Sequence, residues 1–116
     1  MNALERLSEI CAELPEAERE LSGNHAVFKV RGRTFAYYLD DHHGDGIVGV
    51  VFKTAANEGL IAADPDRFYM PSYIGHRGWV GLRLDRGPVD WTEVADFIAD
   101  SYLAVAPKRL AAQLDP

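Results

Sequence analysis

Five basic side chains and one tryptophan in this sequence have the types and spacing that could bind a nucleic acid. Three of the basic residues alternate within residues 29–33, and the others lie with the tryptophan in the glycine-rich segment "GHRGWVGLRLDRG". Residues that alternate along a strand share one face, so arginines could pair with phosphates while the tryptophan stacks on bases. The candidate nucleic-acid contacts are Lys29, Arg31, Arg33, Arg77, Trp79 and Arg83.

A second interpretation of the same residues needs no ligand. An exposed sheet face carries charges for solubility, and Trp79 could instead cover the end of the sheet or pack under a helix. The formal net charge of -6 also opposes a polyanionic partner, so only a local basic patch could support nucleic-acid binding. Both interpretations stay open at this point.

The segment "DDHHGDG" at residues 40–46 offers imidazole and carboxylate donors for a divalent ion. His42 and His43 are adjacent, however, and would project to opposite sides of an extended chain. Asp, Gly and His also suit turns that need positive φ. We therefore expect a solvated hairpin loop and no bound metal.

An acidic stripe runs along the N-terminal segment. Glu5, Glu9 and Glu13 repeat every four residues, and three further glutamates follow before residue 21. Such a ridge could attract hard cations or a basic partner protein, although helices commonly turn glutamates to water opposite an apolar stripe.

No catalytic motif is present. The sequence lacks GxSxG, HExxH, a CxxC pair and a phosphate-binding glycine loop before a helix. Ser72, Tyr73 and His76 could form a nucleophile, acid and base, but "PSYIGHRG" is equally typical of a hairpin. Cys11 lies among leucines and suits a buried apolar position. We expect a protein that is not an enzyme and has no cofactor.

The first half of the chain predicts one helix and three strands. Leu4, Leu7 and Cys11 repeat at helical spacing after a capping-box-like Asn2, which predicts a helix over residues 3–13. Residues 16–24 are polar and indicate a loop or a short extra turn. Period-two alternation then predicts three antiparallel strands, which begin at His25 and continue over residues 33–40 and 47–53.

The second half predicts a helix, two strands and a final helix. Thr54 could cap a helix that runs to residue 63, before Pro65. Residues 68–74 and 79–84 indicate two strands, which "GHRG" would join as a hairpin. Asp90 then starts a helix that Pro107 ends. The fold class is α+β, with an antiparallel sheet and helices on one face.

Four successive blocks resemble the MmcQ/YjbR-like family of small bacterial proteins. They are "HAVFKVRGRTFAYY", "DGIVGVVFKT", "DPDRFYMPSYIGHRGWVGLRLD" and "VDWTEVADFIADSYLAVAPKRL", and they cover roughly residues 25–110 in order. The resemblance implies a two-layer α-β-β-β-α-β-β-α fold with a five-stranded antiparallel sheet. This fold is similar to secretion-chaperone-like and double-wing architectures. The family is often described as predicted DNA-binding, and it implies no catalytic residues.

These features together predict one domain over residues 1–116. Apolar runs are too short for a membrane span and no leader is evident, so we expect a cytoplasmic protein. We expect a monomer rather than an obligate oligomer. The first functional hypothesis is DNA binding through a basic sheet face or wing hairpins. The alternative is a protein- or peptide-interaction module that uses exposed groups such as Tyr37, Tyr73 and Trp79.

Overall fold

The computed structural model describes residues 2–114 of the chain. The ends of the predicted 1–116 domain, Met1 and residues 115–116, lie outside the described residues. The elements, in chain order, are α1 (Ala3–Ala12), β1 (Ala17–Ser22), β2 (His25–Val30), β3 (Arg33–Asp40), β4 (Val48–Lys53), α2 (Asn57–Ala63), β5 (Phe68–Tyr69), β6 (Trp79–Arg83), α3 (Trp91–Val105) and α4 (Lys108–Ala111).

The predicted five-stranded sheet is wrong by one strand, because residues 2–114 form a sheet of six strands in the order β1-β2-β3-β4-β6-β5. All its pairings are antiparallel. The added strand is β1, in the stretch predicted as a loop. It is an edge strand with five exposed residues, so it has no buried face to produce an alternating pattern. Its pairing with β2 through a tight turn at Gly23, where φ is +57°, makes it a strand.

One face of this sheet carries the core, and side chains from all four helices join it. Alternate residues of the inner strands, such as Phe28, Val50 and Val80, are fully or almost fully buried. Against them pack Leu7 of α1, Ile98 of α3 and, from α2 and α4, further leucines. Alternation along the strands predicted this face correctly, and the α+β class with an antiparallel sheet is confirmed.

Two local predictions between residues 54 and 74 were wrong. The helix α2 begins at Asn57, and the residue at its N-cap is Ala56. Thr54 is therefore not the cap; its hydroxyl accepts a hydrogen bond from the Ala56 N–H before the helix. The strand predicted over residues 68–74 ends at Tyr69, ahead of Pro71. The predicted hairpin is confirmed, because β5 and β6 pair antiparallel, but the loop that joins them spans residues 70–78 and contains a 3-10 turn at Gly75–Arg77.

The long helix α3 ties the layers together. Asp90 caps it by accepting hydrogen bonds from Thr92 and Glu93 N–H groups, as predicted. The Tyr102 hydroxyl donates to the Pro15 carbonyl at 2.6 Å. Among residues 2–114, no helix has the length and apolar character that crossing a membrane requires.

Candidate functional site

The face of the sheet opposite the helices, here called the open face, is built by the other alternating set of strand residues. Tyr37 of β3 lies opposite Val51 of β4, and Val51 lies opposite Gly81 of β6. Val51 and Gly81 are buried, although they alternate with the core residues Val50 and Val80 and so lie on the other face of the sheet. Something other than a helix therefore covers this part of the open face.

Tyr69 provides that cover. A Cβ atom built at Gly49 would lie 2.6 Å from the Tyr69 hydroxyl, and one built at Gly81 would overlap the Tyr69 ring. The ring therefore lies across two glycines on neighbouring strands, in space that any larger residue would fill. Burial raises the pKa of Tyr69 to about 12, and the negative charge of Asp45 acts in the same direction. The hydroxyl is therefore protonated at neutral pH and can donate a hydrogen bond.

A groove of about 470 Å³ lies beside Tyr69 on the open face. The strands β3 and β4 form its floor with Tyr37, Leu39 and Val51. One wall is the segment that follows Tyr69, and the other is the loop between β3 and β4. The wall residues are His42, Asp45, Ile47, Tyr69, Met70, Pro71, Ser72, Tyr73 and Ile74. Most of these side chains are apolar or aromatic, so the groove suits an apolar group with a few hydrogen-bonding atoms.

Trp79 lies on the open face, since its strand neighbours Val80 and Leu82 belong to the core. Its ring packs edge-on against Tyr37, with ring centroids 5.6 Å apart. Trp79 is half-buried in this contact. Trp79 therefore packs against the floor residue Tyr37 from outside the groove lining.

Two cations predicted to contact phosphates are paired with glutamates near β1. Lys29 Nζ lies 3.1 Å from Glu20, and Arg31 forms two hydrogen bonds to Glu16 at 2.7 and 3.1 Å. The hydrogen bonds to Arg31 lower the pKa of Glu16. Both glutamates lie in the stretch predicted as a loop, and the added strand brings them beside the basic residues of β2.

The third paired cation is Arg83. Its guanidinium donates to both carboxylate oxygens of Asp85, at 2.9 and 3.1 Å. These bonds lower the pKa of Asp85, and the Val48 N–H adds a further hydrogen bond to that carboxylate. Three of the five predicted phosphate-binding cations are thus already neutralised by carboxylates.

Arg33 and Arg77 are exposed and form no ion pair within residues 2–114. Arg33 opens β3, while Arg77 ends the 3-10 turn before β6. The Gly78 carbonyl beside Arg77 accepts a hydrogen bond from Thr54 N–H just after β4. Both arginines therefore belong to the same end of the sheet.

The loop between β3 and β4 brings three imidazoles together. The rings of His42 and His43 are 4.0 Å apart between centroids, and His25 of β2 is 5.3 Å from His42. Burial lowers the pKa of His42, with smaller effects from the other two histidines, while Asp45 opposes the shift. Within residues 2–114, no group of three or more His, Cys, Asp or Glu has a metal-binding arrangement.

The residues considered for nucleophilic chemistry are not assembled in this structure. Ser72 and His76 are both exposed, and no hydrogen bond joins them among the described residues. Cys11 is buried in the core, and burial strongly raises the pKa of its thiol, which holds it in the unreactive protonated form.

Sequence reasoning missed Tyr69, Gly49 and Gly81. The available signal was a pair of glycines inside otherwise apolar strands, which often marks a close approach by another group. The pattern could indicate an approach but could not identify Tyr69 as the group that makes it.

Comparison with known proteins places the chain in a family. The family model described as YjbR matches residues 12–104. No curated protein gave a match. The fold is similar to the crystal structure of Deinococcus radiodurans protein DR2400, a DUF419-domain protein. That likeness has a TM-score of 0.74 and 25% sequence identity, and covers 98% of this chain and 88% of the other. The family match over most of the sequence, together with this structural likeness, shows that the chain belongs to the YjbR family.

Proposed function

We propose that this protein is a non-enzymatic interaction module whose groove on the open face takes an apolar or aromatic side chain from a peptide or protein partner. The observation that carries the proposal is the groove itself. It is concave and mostly apolar, and Tyr37 and Val51 form part of its floor. A groove of about 470 Å³ falls within the range of known ligand sites and is larger than one side chain.

The exposed residues beside the groove support a macromolecular partner. Met70 and Tyr73 line it, and they remain 48% and 81% exposed. Tyr73 also has a positive φ of +70°, which is unfavourable for a bulky residue. Exposed apolar side chains at the rim of a concave site favour contact with another protein, because a bound partner removes their apolar surface from water.

The charge of the chain supports a neutral or basic partner. A net charge of -6 repels polyanions, and Asp45 contributes a carboxylate to one wall of the groove. The protonated Tyr69 hydroxyl offers a hydrogen bond at the same site. A peptide carbonyl is a suitable acceptor for it.

The test uses a peptide array probed with the full chain. Neutral peptides differ only at a central position, which is Phe, Trp, Leu or Ser. We expect binding to the apolar members to exceed binding to the Ser member. Substitution Ser72→Trp, which adds a large side chain to the groove wall, should abolish this preference. Leu103→Ser removes an exposed apolar side chain on α3 and serves as the matched control that retains binding. Equal binding to all four peptides would refute the proposal.

A second candidate function is DNA binding at the end of the sheet that holds Arg33 and Arg77. It is favoured by the exposure of these two guanidinium groups and by their lack of a carboxylate partner among the described residues. Binding should weaken steeply with salt, and the Arg33→Ala and Arg77→Ala pair should flatten that dependence. Arg83→Ala should change it less, because Asp85 already pairs with Arg83. Undetectable DNA binding at low salt would exclude this candidate.

A further inference from the structure

The outer edge of β1 is a second surface, separate from the groove. β1 is the first strand of the sheet, with β2 on one side only. Five of its six residues are exposed. An unpaired strand edge presents a row of free N–H and C=O groups that another extended chain can bind.

The geometry of the turn shows which backbone groups face outward. Two residues connect β1 to β2, so Ser22 and His25 form the closing, hydrogen-bonded pair of the hairpin. Backbone groups alternate along a strand, so Glu18 and Glu20 also bond to β2. The N–H and C=O groups of Arg19 and Leu21 then point away from the sheet. The Ala17 N–H agrees with this alternation, because it donates to the Leu14 carbonyl before the strand.

A second groove, of about 400 Å³, lies next to this edge between α1 and β1. Ala12 and Phe28 give it apolar surface, and the glutamates of α1 stand along it. Side chains of an added strand alternate between two faces, so one row would enter this groove while the other lies on the open face.

The charges on both sides of the edge are mainly acidic. Glu5 and Glu9 of α1 stand along the groove, while Glu18 and Glu20 belong to the open face. Glu5, Glu9 and Glu18 form no ion pair within residues 2–114, and Glu20 pairs with Lys29. Arg19 is the one cation in the lining, and its guanidinium donates to Ser8 Oγ at 3.1 Å. Basic side chains are the complement of such an edge.

A second copy of this chain is a poor occupant. When two copies of β1 pair antiparallel about a two-fold axis, odd-numbered residues lie opposite odd-numbered ones and even-numbered residues opposite even-numbered ones. A pairing centred on Arg19 places it against itself and Glu18 against Glu20, while centres at Glu18 or Glu20 oppose like glutamates. A pairing centred on Leu21 brings no like charges together, but it joins only residues 20–22 of each β1 strand. Like charges directly opposite each other destabilise strand pairs.

We propose that β1 binds an extended segment of a partner protein as a seventh strand, and that this segment alternates lysine or arginine with apolar residues. The basic side chains lie on the open face beside Glu18, which has no ion-pair partner within residues 2–114, and the apolar ones lie over the groove under α1. This inference does not depend on the groove beside Tyr69.

The test uses a capped heptapeptide of alternating Lys and Val, labelled for fluorescence anisotropy, with the full chain. We expect saturable binding that the Glu18→Lys substitution weakens about fivefold. Glu58→Lys makes the same charge change at an exposed position of α2 and should leave binding within twofold of the parent value. Equal losses in both variants would show only general charge attraction and would overturn the proposal.

Backbone pairing is tested separately. On binding, amide hydrogen exchange should slow at Arg19 and Leu21 by tenfold or more, with little change at Glu20, whose N–H is already paired. A peptide of the same charge, N-methylated at alternate residues to block its backbone donors, should lose binding. Unchanged exchange at Arg19 and Leu21, or full binding by the methylated peptide, would overturn the proposal. The Ser72→Trp variant should bind the Lys–Val peptide normally, which separates this result from the proposed groove function.

Discussion

The ring of Tyr69 occupies the space that a side chain at Gly81 would need. The contact holds Tyr69 against the sheet, where it forms one wall of the groove. Because Gly81 lies in the middle of β6, opposite Val51, its missing side chain shapes the open face.

We predict that Gly81→Ala destabilises the protein by about 1–3 kcal/mol, because the added methyl group must displace the Tyr69 ring that packs against Gly81. Equilibrium denaturant unfolding measures this change. Gly59→Ala is the matched control, because Gly59 lies in the helix α2 and a Cβ atom added there has no heavy atom within 4 Å. It should stabilise the protein by about 0.5–1 kcal/mol. A Gly81→Ala variant as stable as the parent would contradict the packing described.

Ser101 is expected to matter more for stability than its size suggests. It is fully buried, its hydroxyl donates to the Phe35 carbonyl at 2.6 Å, and it accepts from Lys53 N–H at 2.9 Å. Ser101→Ala leaves both backbone groups without this partner, which should cost about 1–3 kcal/mol in the free energy of unfolding. Ser22→Ala, at an exposed position, should change it by less than about 0.5 kcal/mol.

Acid should weaken the fold partly through Asp85. Arg83 lowers the pKa of this carboxyl below 3.8 in the folded state. Its contribution to stability is therefore present above pH 3.8 and is lost as the pH falls through the lowered folded pKa. Asp85→Asn should reduce stability at pH 7 by about 1 kcal/mol and leave a smaller further loss on acidification. Asp66→Asn, at an exposed position with no ion pair among residues 2–114, is the control. If the free energy of unfolding fell equally with pH in the parent and in Asp85→Asn, the prediction would be contradicted.

The imidazole cluster gives a second pH dependence, in a milder range. Burial, helped by His43 and His25, lowers the pKa of His42 below 6.5 in the folded state, with Asp45 opposing. As the pH falls, the unfolded chain therefore takes up a proton at His42 before the folded protein does. The contribution of the neutral His42 to the free energy of unfolding is present above pH 6.5 and is lost as the pH falls through the folded pKa.

Proton NMR titration should place the pKa of His42 below 6.5, and His42→Gln should reduce the loss of stability between pH 7.5 and 5. His76→Gln, in the exposed 3-10 turn, should leave that loss unchanged. A His42 pKa at or above the ordinary value would show that the rings do not form the cluster in solution.

Elements with a strong local pattern were predicted correctly. β3 was predicted over 33–40 and is observed as Arg33–Asp40, because alternating apolar residues face a buried core. The start of α3 after Asp90 was predictable because an aspartate cap is a local interaction, in which Asp90 accepts hydrogen bonds from the N–H groups of Thr92 and Glu93. β1 was missed because an edge strand has no buried face, and its partner β2 supplies the hydrogen bonds that define it.

The candidate site was less predictable. The glutamate stripe on α1 could be predicted from glutamate spacing, and so could the open-face position of Trp79 relative to Val80. The ion pairs between Lys29 and Glu20 and between Arg31 and Glu16 could not, because they depend on β1.

The sequence by itself determined the fold class, the core face and the family, since periodicity, caps and family blocks are properties of short stretches. The tertiary structure decided which charges are already paired and what covers the open face. Tyr69 and Gly81 are twelve residues apart in the chain, and Glu16 and Arg31 are fifteen apart. Contacts of that kind exist only after strands pair, so strand order and register, rather than residue type, define the groove and the free edge of β1.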